Sequence, residues 1–220
     1  MINVTGHTGV VNFPEKTIKE DLDLKDALWG VVVAIFCVGG LIGAMTISQV
    51  ADKLGRKATL TLNSTYFVIT GILQFTSGSI RHHQNASFAI LLLSRITAGM
   101  GCGGATVVVP MYLGEVASRN LRGAFGSLSQ FAVVMGVFLS QLIGWHFHAS
   151  SQWQWLLSIT GFLGLVQVLA GVSLLESPKW LATKNRLEEA KQTLLIFRDY
   201  SEEDASAELD EIMLTAGKRK

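Results

Sequence analysis

Charge is what this sequence has least of. Only 16% of its 220 residues are Asp, Glu, Lys or Arg, against about a quarter in a soluble domain. A chain so poor in charge is expected to spend most of its length in lipid. The few charges nearly cancel, 18 basic against 17 acidic, so nothing suggests a nucleic-acid partner. Proline is scarce, with 3 residues. The 2 cysteines, Cys37 and Cys102, both lie in apolar stretches. That argues against a disulfide framework and suits small buried hydrophobes. Met1 to Asn12 has neither a basic start nor an apolar core, so no secretory signal is expected there.

What remains is apolar. Hydrophobic residues make up 49% of the chain, mean hydropathy is +0.39, and there are 22 glycines. Abundant glycine fits close helix packing in lipid. Five apolar stretches stand out, at about 27–50, 59–80, 88–113, 123–145 and 153–175. Each has the roughly 20 residues a helix needs to cross a bilayer. They define an all-α, multi-pass membrane bundle over 27–176, preceded by a mixed segment at 1–26 and followed by a charged segment at 177–220. In the first segment, Glu15 to Leu24 reads as a short surface helix.

The links between stretches fix the orientation. Asp52-Lys53-Leu54-Gly55-Arg56-Lys57 joins the first two with three cations and one anion. It is too short to hold a domain, so the flanking helices must be neighbours. Arg119 and Arg122 lie in the link after the third stretch, and many cations follow Glu176. The alternate links hold only Arg81 or no Lys or Arg. Basic links on every second bend share one face, expected to be cytoplasmic. Asn85-Ala86-Ser87 is a glycosylation sequon on the opposite face, as a glycan requires. Asn3-Val4-Thr5 and Asn63-Ser64-Thr65 match the same pattern, the latter inside a stretch where no glycan can be added. The N-terminus then lies outside. A chain that starts late, lacking most of a first helix, is the expectation that resolves this.

The tail reads as amphipathic helices. Ser177-Pro178 supplies a capping hydroxyl and a proline at the first helical position. Trp180, Leu181, Leu187, Leu194 and Leu195 recur at helical spacing. A break is expected at Asp199 to Ser201, then a capping-box pattern at Ser201 to Asp204 and an apolar stripe of Leu209, Ile212 and Met213.

Several polar residues sit where lipid makes them expensive. Arg95 falls about seven residues into the third stretch, roughly 10 Å of helix rise. It is either a gating or coupling residue or a cation reaching back to the interface. Gly99 and Gly103 have the GxxxG spacing that lets helices touch backbone to backbone, and Gly39, Gly40 and Gly43 offer the same in the first stretch. Gln130 and Gln141 are eleven residues apart, near three helical turns, so they share a face. Their amides suit either sugar hydroxyls or neighbouring helices. Glu115, Arg119 and Arg122 lie on the basic rim with Glu176 and Lys179, as interhelical ion pairs or as a solvated edge. Gly55 permits a tight turn or a close approach, Arg56 and Lys57 can hold carboxylates or lipid headgroups, and Asp52 can accept from helix N-termini. His82-His83 and His146-Phe147-His148 lack the carboxylates that would complete a metal site. No nucleophile–base pair is apparent, so neither enzyme chemistry nor a cofactor is expected.

Taken in order, these motifs resemble the sugar porter family of the major facilitator superfamily, closest to eukaryotic facilitative glucose transporters. Asp52 to Lys57 is similar to D-x-x-G-R-R/K, and Arg95 with its glycines to R-x-x-x-G. Val109-Pro110-Met111-Tyr112-Leu113-Gly114-Glu115-Val116 is similar to V-P-M-Y-x-G-E-x, and Leu121-Arg122-Gly123 to L-R-G. Glu176-Ser177-Pro178-Lys179-Trp180-Leu181 is similar to P-E-S-P-R-x-L, with Leu175 and Lys179 replacing Pro and Arg. Lys cannot fork to a carboxylate as Arg does. Gly6-His7-Thr8-Gly9-Val10-Val11-Asn12 resembles the end of the family's first helix, with His7 where proton-coupled relatives carry Asp.

The resemblance implies half of a twelve-helix carrier, a partial major facilitator fold. Gln130, Gln141 and Thr8 become substrate contacts. Glu115 and Arg122 are expected to pair at an inner gate, partly with a second half. The implied activity is facilitated diffusion of a hexose across the plasma membrane by alternating access. The implied partners are the sugar, the bilayer and a missing C-terminal half or a full-length transporter. A proton-coupled sugar or polyol symporter, and a non-transporting protein that binds a full-length carrier, stay open.

Overall fold

The computed structural model describes residues 15–23, 25–80, 82–118, 121–147, 153–198 and 202–217. Among these the regular elements are all α-helices: α1 Glu15–Asp21, α2 Asp26–Leu54, α3 Arg56–Ser79, α4 Gln84–Val116, α5 Arg122–Phe147, α6 Trp153–Val172, α7 Pro178–Thr183, α8 Leu187–Arg198 and α9 Glu202–Gly217. The break expected at 199–201, the Ser201 cap and Thr8 lie outside the described residues.

Five long helices occur where the five apolar stretches lie, and most of them outrun those stretches. Asp52, Lys53 and Leu54 finish α2, while Arg56 and Lys57 begin α3. The expected six-residue link is therefore a single non-helical residue, Gly55, at φ +96°. That backbone conformation is costly for any residue with a Cβ. By length and composition, Asp26–Leu54, Gln84–Val116 and Gly123–Trp145 can each cross a membrane.

The remaining long helices are less apolar or shorter, and α3 shows why. Thr59, Asn63, Thr70, Gln74 and Ser77 recur along one side of it and are at most 3% exposed. That stripe faces α4. The Asn63 Nδ2 donates to the Gly101 carbonyl at 3.0 Å, the Thr70 and Thr97 hydroxyls meet at 2.9 Å, and the Ser77 hydroxyl donates to the Ser87 carbonyl at 2.8 Å. The outward side carries Leu62, Ile69 and Ile72, all exposed. Polar groups inside and apolar groups outside reverse the soluble pattern, as lipid requires, because only the protein interior offers hydrogen-bond partners.

Two glycine contacts set the packing. Gly39 and Gly43 of α2 lie against the backbone at Ile96 and Met100 of α4, and Gly103 lies against that of Gly40. The offset is nearly constant along both helices, so α2 and α4 run parallel. On the other side of the bundle Gly71 of α3 touches Gly161 of α6, and Gly164 meets Phe67 and Val68. That register is antiparallel. Added Cβ atoms at these positions would collide with backbone.

The α1 helix differs from the expected surface helix. Ile18 and Leu22 are 0% and 3% exposed and pack with Trp29, Val32, Leu91 and Leu157. Only its other side is polar, where the Lys19 ammonium reaches Glu15 at 2.5 Å and Asp26 at 3.0 Å. The bond to Glu15 first, then that to Asp26, raises the Lys19 pKa. Cys37 is exposed, Cys102 is buried, and both are free thiols.

At the Gly55 end the last three helices form a separate layer. Trp180, Leu181 and Ala190 make its core, with Leu209 of α9 against them. Of the expected apolar stripe of the tail, Leu209 thus packs against α7 and α8, while Met213 is exposed.

Candidate functional site: the Gly55 rim and the α4–α5 cavity

The rim is built where three helix ends and the start of α7 converge. The α3 helix begins immediately after Gly55, so its first N–H groups have no carbonyl before them. The Glu176 Oε1 accepts from the Arg56 N–H at 2.8 Å and the Lys57 N–H at 3.1 Å, and also from the Ser177 N–H at 2.9 Å. A carboxylate at a helix N-terminus satisfies free donors and complements the dipole. Asp52, expected to do this, instead accepts from the Arg56 Nη1 at 3.3 Å and stays largely exposed.

The Arg56 side chain turns to α4. Its Nε donates to the Glu115 Oε2 at 2.8 Å and its Nη2 to Oε1 at 2.9 Å, and its Nη1 reaches the Ala51 carbonyl at 2.9 Å. Both partners are about nine-tenths covered, with side chains 11% and 10% exposed. This two-bond fork is the strong form of an arginine–carboxylate pair. Glu115 thus engages Arg56. Glu115 and Arg122 do not share one helix, since α4 ends at Val116 and α5 starts at Arg122. The Arg122 side chain and Arg119 lie outside the described residues.

Two further bonds tie α7 and the end of α6 into this knot. The Trp180 Nε1 donates to the Asp52 carbonyl at 3.1 Å, and the Tyr112 hydroxyl to the Leu175 carbonyl at 2.9 Å. Ser177 caps α7 through the Trp180 N–H at 3.3 Å, with Pro178 at the first helical position. Trp180 and Tyr112 carry bonds that sequence spacing did not single out. The Glu176 carboxylate and the Trp180 ring also occupy the space a Cβ at Gly55 would take. Lys179 lines a cavity of about 490 Å³ with Asp52, Arg56, Glu115 and Lys184.

Deeper in the bundle, Arg95 is 2% exposed, and its Nε and Nη2 have no hydrogen-bond partner. Gln74, fully buried on α3, has no partner for its amide nitrogen or oxygen. Gln130 and Gln141 are exposed on α5. Gln130 lines a cavity of about 260 Å³ with Pro110, Leu113, Gly114, Phe125, Gly126 and Ser129, between α4 and α5. Asn85 is exposed in the first turn of α4, at the opposite end from the rim. No group of three or more His, Cys, Asp or Glu residues able to hold a metal occurs among the described residues.

This all-helical bundle takes up about half of the major facilitator fold. Aligned on the proton:xylose symporter XylE bound to 6-bromo-6-deoxy-D-glucose, the chain gives a TM-score of 0.90 at 20% identity, over 99% of this chain and 51% of that one. The partially occluded, inward-open form of the E. coli xylose transporter XylE gives 0.88, over 100% and 57%.

The model of the family described as sugar (and other) transporter matches residues 4–220. The chain belongs to that family, the sugar porters of the major facilitator superfamily, as the motifs led us to expect. It is 34% identical over 222 residues to the mouse facilitated glucose transporter member 3, covering 94% of this chain and 44% of that protein. It is 33% identical over 190 residues to the horse facilitated glucose transporter member 5, covering 85% and 36%. It also matches the yeast vacuolar protein sorting-associated protein 73, at 30% identity over 89% of this chain and 39% of that one. The chain spans less than half the length of these relatives.

Proposed function

We propose that this chain forms one half of an integral membrane hexose carrier that works by facilitated diffusion. The observation that carries the reading is the α4–α5 cavity, whose wall offers the Gln130 amide at the edge of a largely apolar surface. Sugar hydroxyls need donors and acceptors to replace water, and an amide supplies both. Gln141, further along the same exposed helix, extends that face, and Thr8 is proposed to join it. A second six-helix half, in the same polypeptide or another, closes the site, and rocking between halves alternates access.

The rim would act as the brace on the cytoplasmic side. Asp52, Gly55, Arg56, Glu115, Glu176, Ser177 and Pro178 are bonded or packed within this half. They keep it rigid while the halves move. Lys179 and Arg122 are proposed to reach the other half and bias the outward-facing state. Arg95 is proposed to couple sugar binding to that motion. The plasma membrane is the proposed location, and Asn85 the proposed glycan acceptor.

The test is labelled hexose uptake in cells lacking hexose carriers. The chain expressed alone is expected to give none. Expressed with the C-terminal half of a related carrier, it is expected to give saturable uptake, insensitive to a protonophore and reduced by Gln130→Ala. Uptake by the chain alone would refute the half-carrier reading, and abolition by protonophore would favour symport. Co-purification with a full-length carrier, without uptake, would favour the non-transporting partner instead.

A further inference from the structure

Below the end of α6 the structure holds a cavity of about 400 Å³ that no sugar reading uses. Its wall joins apolar residues, Leu54, Leu174 and Ile196 among them, with two cations, Lys57 and Arg186, and two carboxylates, Glu176 and Glu189. Leu54 is 55% and Ile196 66% exposed. Above it runs the outward surface of the α3–α6 pair, where Leu62, Ile72, Leu169 and Val172 are all exposed. The cavity is therefore the foot of an apolar face.

The charges of this cavity balance in number, but with its neighbour the rim carries five cations, Lys57, Arg186, Arg56, Lys179 and Lys184, against the four carboxylates Glu176, Glu189, Asp52 and Glu115. Glu176 accepts from three backbone N–H groups and keeps its charge, while Glu115 and Asp52 both pair with the Arg56 guanidinium. Within the cavity, Glu189 holds Arg186 at 2.6 Å, leaving the outer edge of that guanidinium free to donate. No acidic side chain among the described residues lies within ion-pair distance of Lys57, nor of its rim neighbours Lys53 and Lys179. An ammonium group without an ion-pair partner and a guanidinium with a free edge, beside an apolar face at the end of a membrane bundle, match a lipid with an anionic head and an acyl chain.

We propose that this cavity binds the headgroup of an anionic phospholipid, with its phosphate at Lys57 and the free edge of Arg186 and its acyl chain along α3 and α6. The proposal rests on the bundle lying in a membrane, and not on which sugar it moves. A neutral lipid lacks the charge, and a free phosphate lacks the chain that the apolar face would cover.

The test is native mass spectrometry of the 220-residue chain released from micelles doped with equal phosphatidylserine and phosphatidylcholine. Preferential retention of one phosphatidylserine is expected. Lys57→Gln keeps the backbone N–H that Glu176 uses, and should weaken retention about fivefold, the effect of one lysine near an anionic surface. Ile196→Glu, at an exposed position that leaves the core intact, should weaken it at least as much. Lys25→Gln, at the opposite end of α2, should change nothing. Inorganic phosphate or glycerophosphoserine should not compete at millimolar concentration. Equal retention of both lipids, equal loss on Lys25→Gln, full retention by Lys57→Gln, or displacement by either soluble anion would overturn the proposal. Capture from micelles does not depend on uptake, so its failure would leave the carrier reading standing, and the reverse.

Discussion

Arg56 and Glu115 form a two-bond ion pair, Nε to Oε2 at 2.8 Å and Nη2 to Oε1 at 2.9 Å, linking the start of α3 to the end of α4. Both side chains are about nine-tenths covered, so water does little to screen them. Removing one partner should leave the other charge stranded and cost about 2–4 kcal/mol. Arg56→Lys keeps the charge and loses the fork, so we expect a smaller loss of about 1–2 kcal/mol. A double-mutant cycle of Arg56→Gln with Glu115→Gln, read by thermal unfolding in detergent, should give a coupling of about 1 kcal/mol or more. Additive losses would show that the pair is not a unit.

Glu176 makes its rim bonds through one oxygen, and all three donors are backbone N–H groups. An amide oxygen can accept from the same donors but brings no charge to the α3 dipole. Glu176→Gln should therefore cost about 0.5–1 kcal/mol, while Glu176→Ala, which strands the donors, should cost about 1–2 kcal/mol. High salt screens the parent carboxylate, so it should shrink both losses and leave the difference between the two variants unchanged. Equal losses for the two variants would mean that the carboxylate acts by charge alone.

The same reasoning separates the glycines. A Cβ at Gly103 would run into the backbone of Gly40, whereas a Cβ at Gly30 has nothing within 4 Å. Gly103→Val should force α2 and α4 apart and cost about 3 kcal/mol or more, above ordinary overpacking because backbone cannot move aside. Gly30→Ala should be neutral or stabilising by up to about 1 kcal/mol. Circular dichroism melts of the two variants check both. Similar melting points would remove the case for backbone contact between these helices.

How far such features could be read beforehand depends on whether their cause is local. Five apolar stretches of bilayer length announce five long helices, and the GxxxG spacing of Gly99 and Gly103 announces the α2–α4 contact. Gly71 and Gly161 carry no such spacing, and their contact depends on how α3 and α6 cross. The six-residue basic link was overestimated because Lys53, Leu54, Arg56 and Lys57 are good helix formers, and only Gly55 breaks the run. Glu176 serves donors 119 and 120 residues earlier in the chain. Such a partnership is visible in one sequence only as a motif resemblance. The polar stripe from Thr59 to Ser77 lowered the hydropathy of α3, and helical period placed it on one side. Which side was inside was fixed by partners on α4.

Arg95 is a costly residue in the bundle, since it is 2% exposed and neither Nε nor Nη2 has a partner. A buried cation with unmet donors lowers stability, so it should be worth removing if folding were the only concern. Arg95→Met keeps much of the volume and removes the charge. The variant should be as stable as the parent, or more stable by about 1–3 kcal/mol, in thermal unfolding. If Arg95 serves transport, uptake by the assembled two-half carrier should nonetheless fall at least about tenfold, roughly 1.4 kcal/mol in the rate-limiting step. The pairing of gained stability with lost uptake is what a functional strain predicts. Lower stability in Arg95→Met would instead mean that the guanidinium holds the fold, and normal uptake in a stable variant would remove it from the mechanism.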